Sequence, residues 1–181
     1  MTHTARPGWG RRISAAGAVL ATLAAAGCGS MGNLAFTQDH RLAITAPEHR
    51  AHIDRPVTLR WQITDFRIAA PSSEPPSRSA GYFALFVDRS PVPPGETTDI
   101  VAEGDPECAR TPGCPDKRYF AERGIYTTTQ NQLTLASVPD LGTHEPNELH
   151  TVTIVLLDTE GDRIGESAWY VEFWLPNRDE R

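Results

Sequence analysis

Residues 57–64, Val-Thr-Leu-Arg-Trp-Gln-Ile-Thr, put Val57, Leu59, Trp61 and Ile63 at every second position. A chain patterned this way buries one side only as a strand, because strand side chains alternate between two faces while a helix repeats every 3.6 residues or so. The same rhythm recurs in residues 82–88, where Phe83, Leu85 and Val87 alternate with Tyr82, Ala84 and Phe86. Residues 132–135 keep it briefly, and residues 150–157 place Val152, Ile154 and Leu156 on one face. In residues 167–175, Trp169, Val171, Phe173 and Leu175 face one way and Tyr170, Glu172 and Trp174 the other. Leu42-Ala43-Ile44 offers a first short strand. No stretch after residue 28 holds a helical period over three turns. Half-buried strands of this kind belong to antiparallel sheets. Several of them, separated by proline and glycine, predict an all-β, antiparallel β-sandwich over residues 42–176.

The connections carry the remaining information. Residues 48–56 hold His49 and His52 among acids, and with no apolar period there they read as a solvated loop rather than a helical metal pair. Residues 69–81, rich in proline and serine, read as an irregular loop. Residues 89–126 form a long irregular insertion: Pro91, Pro93, Pro94 and Gly95 cannot occupy a central strand. A short edge strand over 98–102 and a helical turn over 119–123 are expected inside it. Long loops often carry function, so a specialised site is expected there if anywhere.

A search for chemistry yields little. There is no glycine-rich phosphate loop, no HExxH pair and no G-x-S-x-G elbow. Asp158, Glu160 and Asp162 have the spacing of the first calcium-loop ligands. Arg163 stands where that loop needs glycine and Trp169 where it needs glutamate, so a hairpin turn is expected. His144, Glu145, Glu148 and His150 are close in sequence and read as a polar loop. We expect no catalytic residues, no metal site and no cofactor.

The N-terminus is of a different kind. Arg6, Arg11 and Arg12 precede a mostly apolar run over residues 13–26, about 14 residues where a membrane-spanning helix needs about 20. A basic start, a short apolar core and small residues describe a secretory signal over residues 1–27, with the Sec and twin-arginine routes both open. Leu23-Ala24-Ala25-Ala26-Gly27-Cys28 resembles a bacterial lipobox, although the lipobox pattern prefers leucine where Ala25 stands. The resemblance implies cleavage before Cys28 and acylation of its thiol, with residues 28–41 as a tether. The mature domain would then sit on the extracytoplasmic side, anchored to the membrane. An ordinary secretory signal or an uncleaved anchor is the alternative.

Removing residues 1–27 removes three arginines and no acids, leaving 14 basic and 23 acidic residues and a net charge of −9. That balance argues against a nucleic-acid partner, which needs clustered lysine and arginine. Once Cys28 is assigned to lipid, Cys108 and Cys114 remain as an even pair in an exported chain and are expected to form a disulfide. Five residues separate them, so they are not a CxxC redox motif. Residues 177–181 are a polar tail.

The strand pattern of residues 42–176 resembles immunoglobulin-like and fibronectin type III domains. Residues 57–63 resemble their second strand, 82–88 the third, 132–135 the fifth, and 150–158 with 169–175 the closing hairpin. The resemblance places the third, sixth and seventh strands in one sheet. If Phe83, Leu85, Val87, Val171 and Phe173 face the core, then Tyr82, Phe86, Tyr170 and Trp174 share the outer face. Exposed, those four aromatics form a candidate surface for an envelope protein or glycan. The insertion folding over them would bury them, and burial is the reading we favour. The expected function is a lipid-anchored, non-catalytic binding or envelope-structural module. The alternative is an enzyme or metal-handling envelope protein with its site in residues 89–126.

Overall fold

A computed structural model describes residues 39–135, 137–143 and 145–177. The expected signal region, Cys28 and most of the expected tether therefore lie outside the described residues. Strands β1 (Leu42–Ala46), β3 (Val57–Ile63) and β7 (Gln132–Leu135) form an antiparallel sheet in the order β1-β3-β7. A second sheet is built on β5 (Ala80–Val87), β8 (Asn147–Leu157) and β9 (Trp169–Pro176). Its outer members are β2 (Ala51–His52), β4 (Arg67–Ile68) and β6 (Ile125–Thr128). The alternating segments are thus strands, and the described chain is all-β with very little helix.

The register explains which residues are inside. Phe83 lies opposite Leu156 and Leu85 opposite Ile154; Val152 lies opposite Val171 and His150 opposite Phe173. Directly opposed residues share a face, so these positions form one apolar layer. Val57, Leu59 and Trp61 of the other sheet join the same buried cluster. Trp61 meets Phe83 edge to face, with ring centroids 5.2 Å apart. Burying each large side chain contributes roughly 1.5–3 kcal/mol.

Four expectations need correction. The larger sheet is mixed rather than antiparallel, because β2 pairs parallel with β9 and β4 parallel with β5. Residues 48–56 therefore contain a short strand, which crosses to the edge of β9. Thr98–Ala102 is a 3₁₀ helix instead of an edge strand. The Thr97 hydroxyl accepts the Asp99 N–H and starts that turn, and the free side of β5 is already occupied by β6 and β4. The insertion, expected to be irregular to residue 126, runs into β6 at Ile125. The helical turn expected near 119–123 is α1 (Lys117–Glu122), capped by the Asp116 carboxylate accepting the Tyr119 N–H.

The insertion has its own apolar contacts. Val92, Ile125, Ile100, Val101 and Phe120 pack with Tyr82, Phe86, Ala84, Val155 and Leu157 on the outer face of β5 and β8. The fold therefore has a second, smaller core on the side of the sheet away from the first.

The strands run between two unlike poles. Leu42 pairs with Ile63, and the Trp169 indole N–H donates to the Asp39 carbonyl at 2.9 Å. The described chain thus begins at the pole that holds the end of β3 and the start of β9. Arg41 donates to both Asp39 oxygens and, chiefly through those bonds, lowers that carboxyl to about 2. The opposite pole carries the β1–β2 connection, Asp88, residues 141–143 and 145–146, and the end of β9.

Candidate binding surface

Strand β9 alternates Val171, Phe173 and Leu175 inward, so Tyr170, Glu172 and Trp174 point outward. Beside them runs β2, which is fixed by backbone bonds from Arg50 N–H to the Glu172 carbonyl (2.6 Å) and from Ile53 N–H to the Trp174 carbonyl (3.0 Å). The result is a row of paired side chains. His49 packs edge-on against Tyr170 at 5.9 Å. Arg50 donates through Nε to Glu172 Oε2 at 2.8 Å, with His49 Nε2 3.6 Å from the same oxygen. His52 stacks on Trp174 at 5.9 Å with the ring planes 13° apart. Tyr170 is 60% exposed and Trp174 half-buried.

The proposed platform of four aromatics does not form. Tyr82 and Phe86 are buried beneath the insertion, while Tyr170 and Trp174 lie beyond its reach. Phe86 and Tyr170 flank the same β8 residue, Thr153, so the boundary between covered and open surface runs down β8. Burial raises the Tyr82 phenol, and the negative charges of Asp158, Asp99 and Asp162 add to the effect.

The insertion is fastened at several points. Cys108 and Cys114 form a disulfide, with Cα atoms 5.2 Å apart. The Asp105 carboxylate accepts from the Cys108 and Glu107 N–H groups, the Tyr119 hydroxyl and Arg123, and these bonds lower it, that from Cys108 most. At the other end the buried Arg163 donates to the carbonyls of Val92 and Glu166 at 2.6 and 2.9 Å. A cleft of about 360 Å³ beside the disulfide is lined by Asp99, Glu103 and Asp105 and contains no histidine. Among the described residues, no three His, Cys, Asp or Glu side chains converge to hold a metal ion.

No family model, curated protein or solved structure matches the chain. The reading of the surface therefore stands on geometry.

The other candidates from sequence fall as follows. Asp158 Oδ1 accepts the N–H groups of Glu160, Gly161 and Asp162, so the acidic run is a tight turn. Of the run 144–150, His144 lies outside the described residues and Glu145 is exposed. Glu148 and His150 are buried. They belong to a cluster that sequence reasoning missed: His150 Nδ1 lies 2.8 Å from Asp88 Oδ2, and His150 Nε2 lies 3.6 Å from Glu148 Oε2. Glu148 also accepts the N–H groups of Leu141 and Thr143 and the Thr143 hydroxyl. Burial alone would raise that carboxyl, yet those donors hold it below its usual value. The cluster thus ties residues 141–143 to β8, at the pole where Trp174 lies. Cys28 lies outside the described residues.

Proposed function

We propose that this chain is a lipid-anchored, extracytoplasmic module of immunoglobulin-like type that binds an envelope partner through the Tyr170–Trp174 edge and performs no chemistry of its own. The observation that carries the binding part is the row of outward aromatics on β9, left uncovered by the insertion and lined by His49 and His52. Large amphipathic rings supply contact area at low entropic cost, which is why such residues dominate binding surfaces.

The partition of strands supports the immunoglobulin-like reading. β1, β3 and β7 share one sheet and β5, β8 and β9 the other. That family divides its first, second and fifth strands from its third, sixth and seventh in the same way. The anchor rests on the sequence around Cys28. One acyl chain binds membranes marginally and two or more bind stably.

Expression of the full chain with a clickable fatty acid tests the anchor. Label on the wild type and none on Cys28→Ser, with the variant moving to the soluble fraction, is the expected result; a variant that stays in the membrane overturns it. Capture from solubilised envelope tests the surface: the Tyr170→Ala/Trp174→Ala double variant is expected to lose the partner that wild type retains. Retention of that partner by the double variant would place binding elsewhere.

A further inference from the structure

The edge of β9 ends in a slot of about 310 Å³, lined by His52, Glu145, Pro146, Asn147 and Trp174. Its aromatic lining is the Trp174 indole with the His52 imidazole stacked on it, ring centroids 5.9 Å apart and planes 13° from parallel, so the two rings form one packed unit with no room for a third ring between them. The rest is a proline, a carboxylate and a carboxamide. We propose that this slot is a subsite for one ring of a neutral carbohydrate, an inference that rests on the reading of the β9 edge as a binding surface.

Which groups remain free decides the ligand chemistry. Nearby carboxylates are engaged within the protein: Glu172 with Arg50 and His49, Glu148 with residues 141–143, Asp88 with His150 and the Thr151 N–H. Among the described residues, the Glu145 carboxylate and the Asn147 carboxamide have no hydrogen bond or ion pair. An indole face beside an unengaged carboxylate and amide suits a ring with a C–H face and peripheral hydroxyls. The C–H face packs on the part of the half-buried indole that His52 leaves open, the hydroxyls donate to Glu145, and Asn147 both donates and accepts. An anion would meet the Glu145 charge, and among the described residues no lysine or arginine lines the slot. A simple cation would use Glu145 and the indole but would leave the donors of Asn147 and His52 unanswered. The volume sits at the small end of ligand sites, which suits one or two sugar rings rather than an extended partner.

The slot is also held in shape. The Asn177 carboxamide donates to the carbonyls of Thr143 and Glu145 at 2.8 and 3.4 Å. The Asn177 N–H donates to the Pro146 carbonyl at 2.9 Å. Glu148 fixes Leu141 and Thr143 from beneath. A wall held at both ends loses little freedom on binding, which favours affinity for a small ligand.

The full chain in detergent micelles, titrated calorimetrically with cellotriose and with chitotriose, tests the assignment. Binding of at least one of them with a dissociation constant of about 0.1–1 mM is expected, as befits a shallow site. Trp174→Ala is expected to weaken it by about tenfold or more and Glu145→Gln by about fivefold. Arg60→Ala, on the outer side of the other sheet, leaves it unchanged. Glu145→Gln changes only an exposed side chain, so it keeps the test valid if Trp174→Ala misfolds. No binding of either sugar, binding indifferent to both slot variants, or tetramethylammonium bound in their place would each overturn the proposal. If the sugars fail while an envelope protein is still captured through Tyr170 and Trp174, the subsite is wrong and the proposed function stands. If capture fails as well, both fall.

Discussion

Glu148 shows how one buried carboxylate can organise a pole of the molecule. It is 2% exposed and accepts three hydrogen bonds, two from backbone N–H groups of residues 141 and 143. Its carboxyl titrates below the usual value, so it contributes stability that is present above about pH 4.5, its ordinary value, and lost as pH falls through the folded value. Acid unfolding followed by circular dichroism from pH 7 to pH 2 should show this decline. Glu148→Gln should flatten the acid limb and cost about 1–3 kcal/mol at pH 7, because one donor is left facing an amide NH₂. An unaltered denaturant midpoint in that variant would mean that the carboxylate does not hold the loop. The sequence contained a sign of this arrangement. Glu148 and His150 fall on the same parity as Val152, Ile154 and Leu156, which places them inward if the strand begins early enough. Their partner Asp88 was beyond reach, because nothing local says that residue 88 lies beside residue 150.

The insertion is best judged as an element, by what it covers. Phe86→Ala removes a fully buried ring from between the insertion and the sheet and should cost about 3–5 kcal/mol in urea unfolding. Tyr170→Ala, on the same outer face but exposed, should stay within about 0.5 kcal/mol. Similar values for the two would contradict the boundary along β8. Replacing Cys108 and Cys114 together by alanine should cost roughly 2 kcal/mol, since the ring they close is short. Hydrogen exchange should then quicken in residues 98–123 while β3, β5 and β8 keep their protection; uniform quickening would instead make the disulfide part of the global core. The same contrast shows what was legible beforehand. β3, β5, β8 and β9 carry long period-two patterns, and their faces follow from parity. β2 and β4 are two residues each and hold no period at all. β6, Ile-Tyr-Thr-Thr, has one fully buried side chain, Ile125 beneath the insertion, and is a strand because β5 offers it an edge. Whether Tyr82 and Phe86 are covered depends on a distant segment, so alternation alone could place them on the outer face but not bury them.

At the scale of the whole molecule, the two ends of the described domain have different neighbours. The described chain begins beside Trp169, and Trp174 with the slot lies at the far end of the same strand. Ten residues lie between Cys28 and Asp39, a span of at most about 40 Å when extended. If Cys28 carries the anchor, the pole holding Asp39 is tethered to the membrane and the slot belongs to the opposite pole. Anchoring and recognition are then separable. Cys28→Ser should move the protein to the soluble fraction while leaving its dissociation constant for a slot ligand within about twofold of wild type, because no residue of the slot touches the tethered pole. What the variant should lose is retention on a surface bearing many copies of the ligand, since membrane-clustered modules bind such surfaces with an avidity that single copies lack. Comparing free-ligand titration with retention on ligand-coated beads, for liposome-bound wild type and the soluble variant, separates the two effects. A large change in intrinsic affinity on releasing the anchor would show that the membrane itself forms part of the site, and the division of labour between the poles would have to be abandoned.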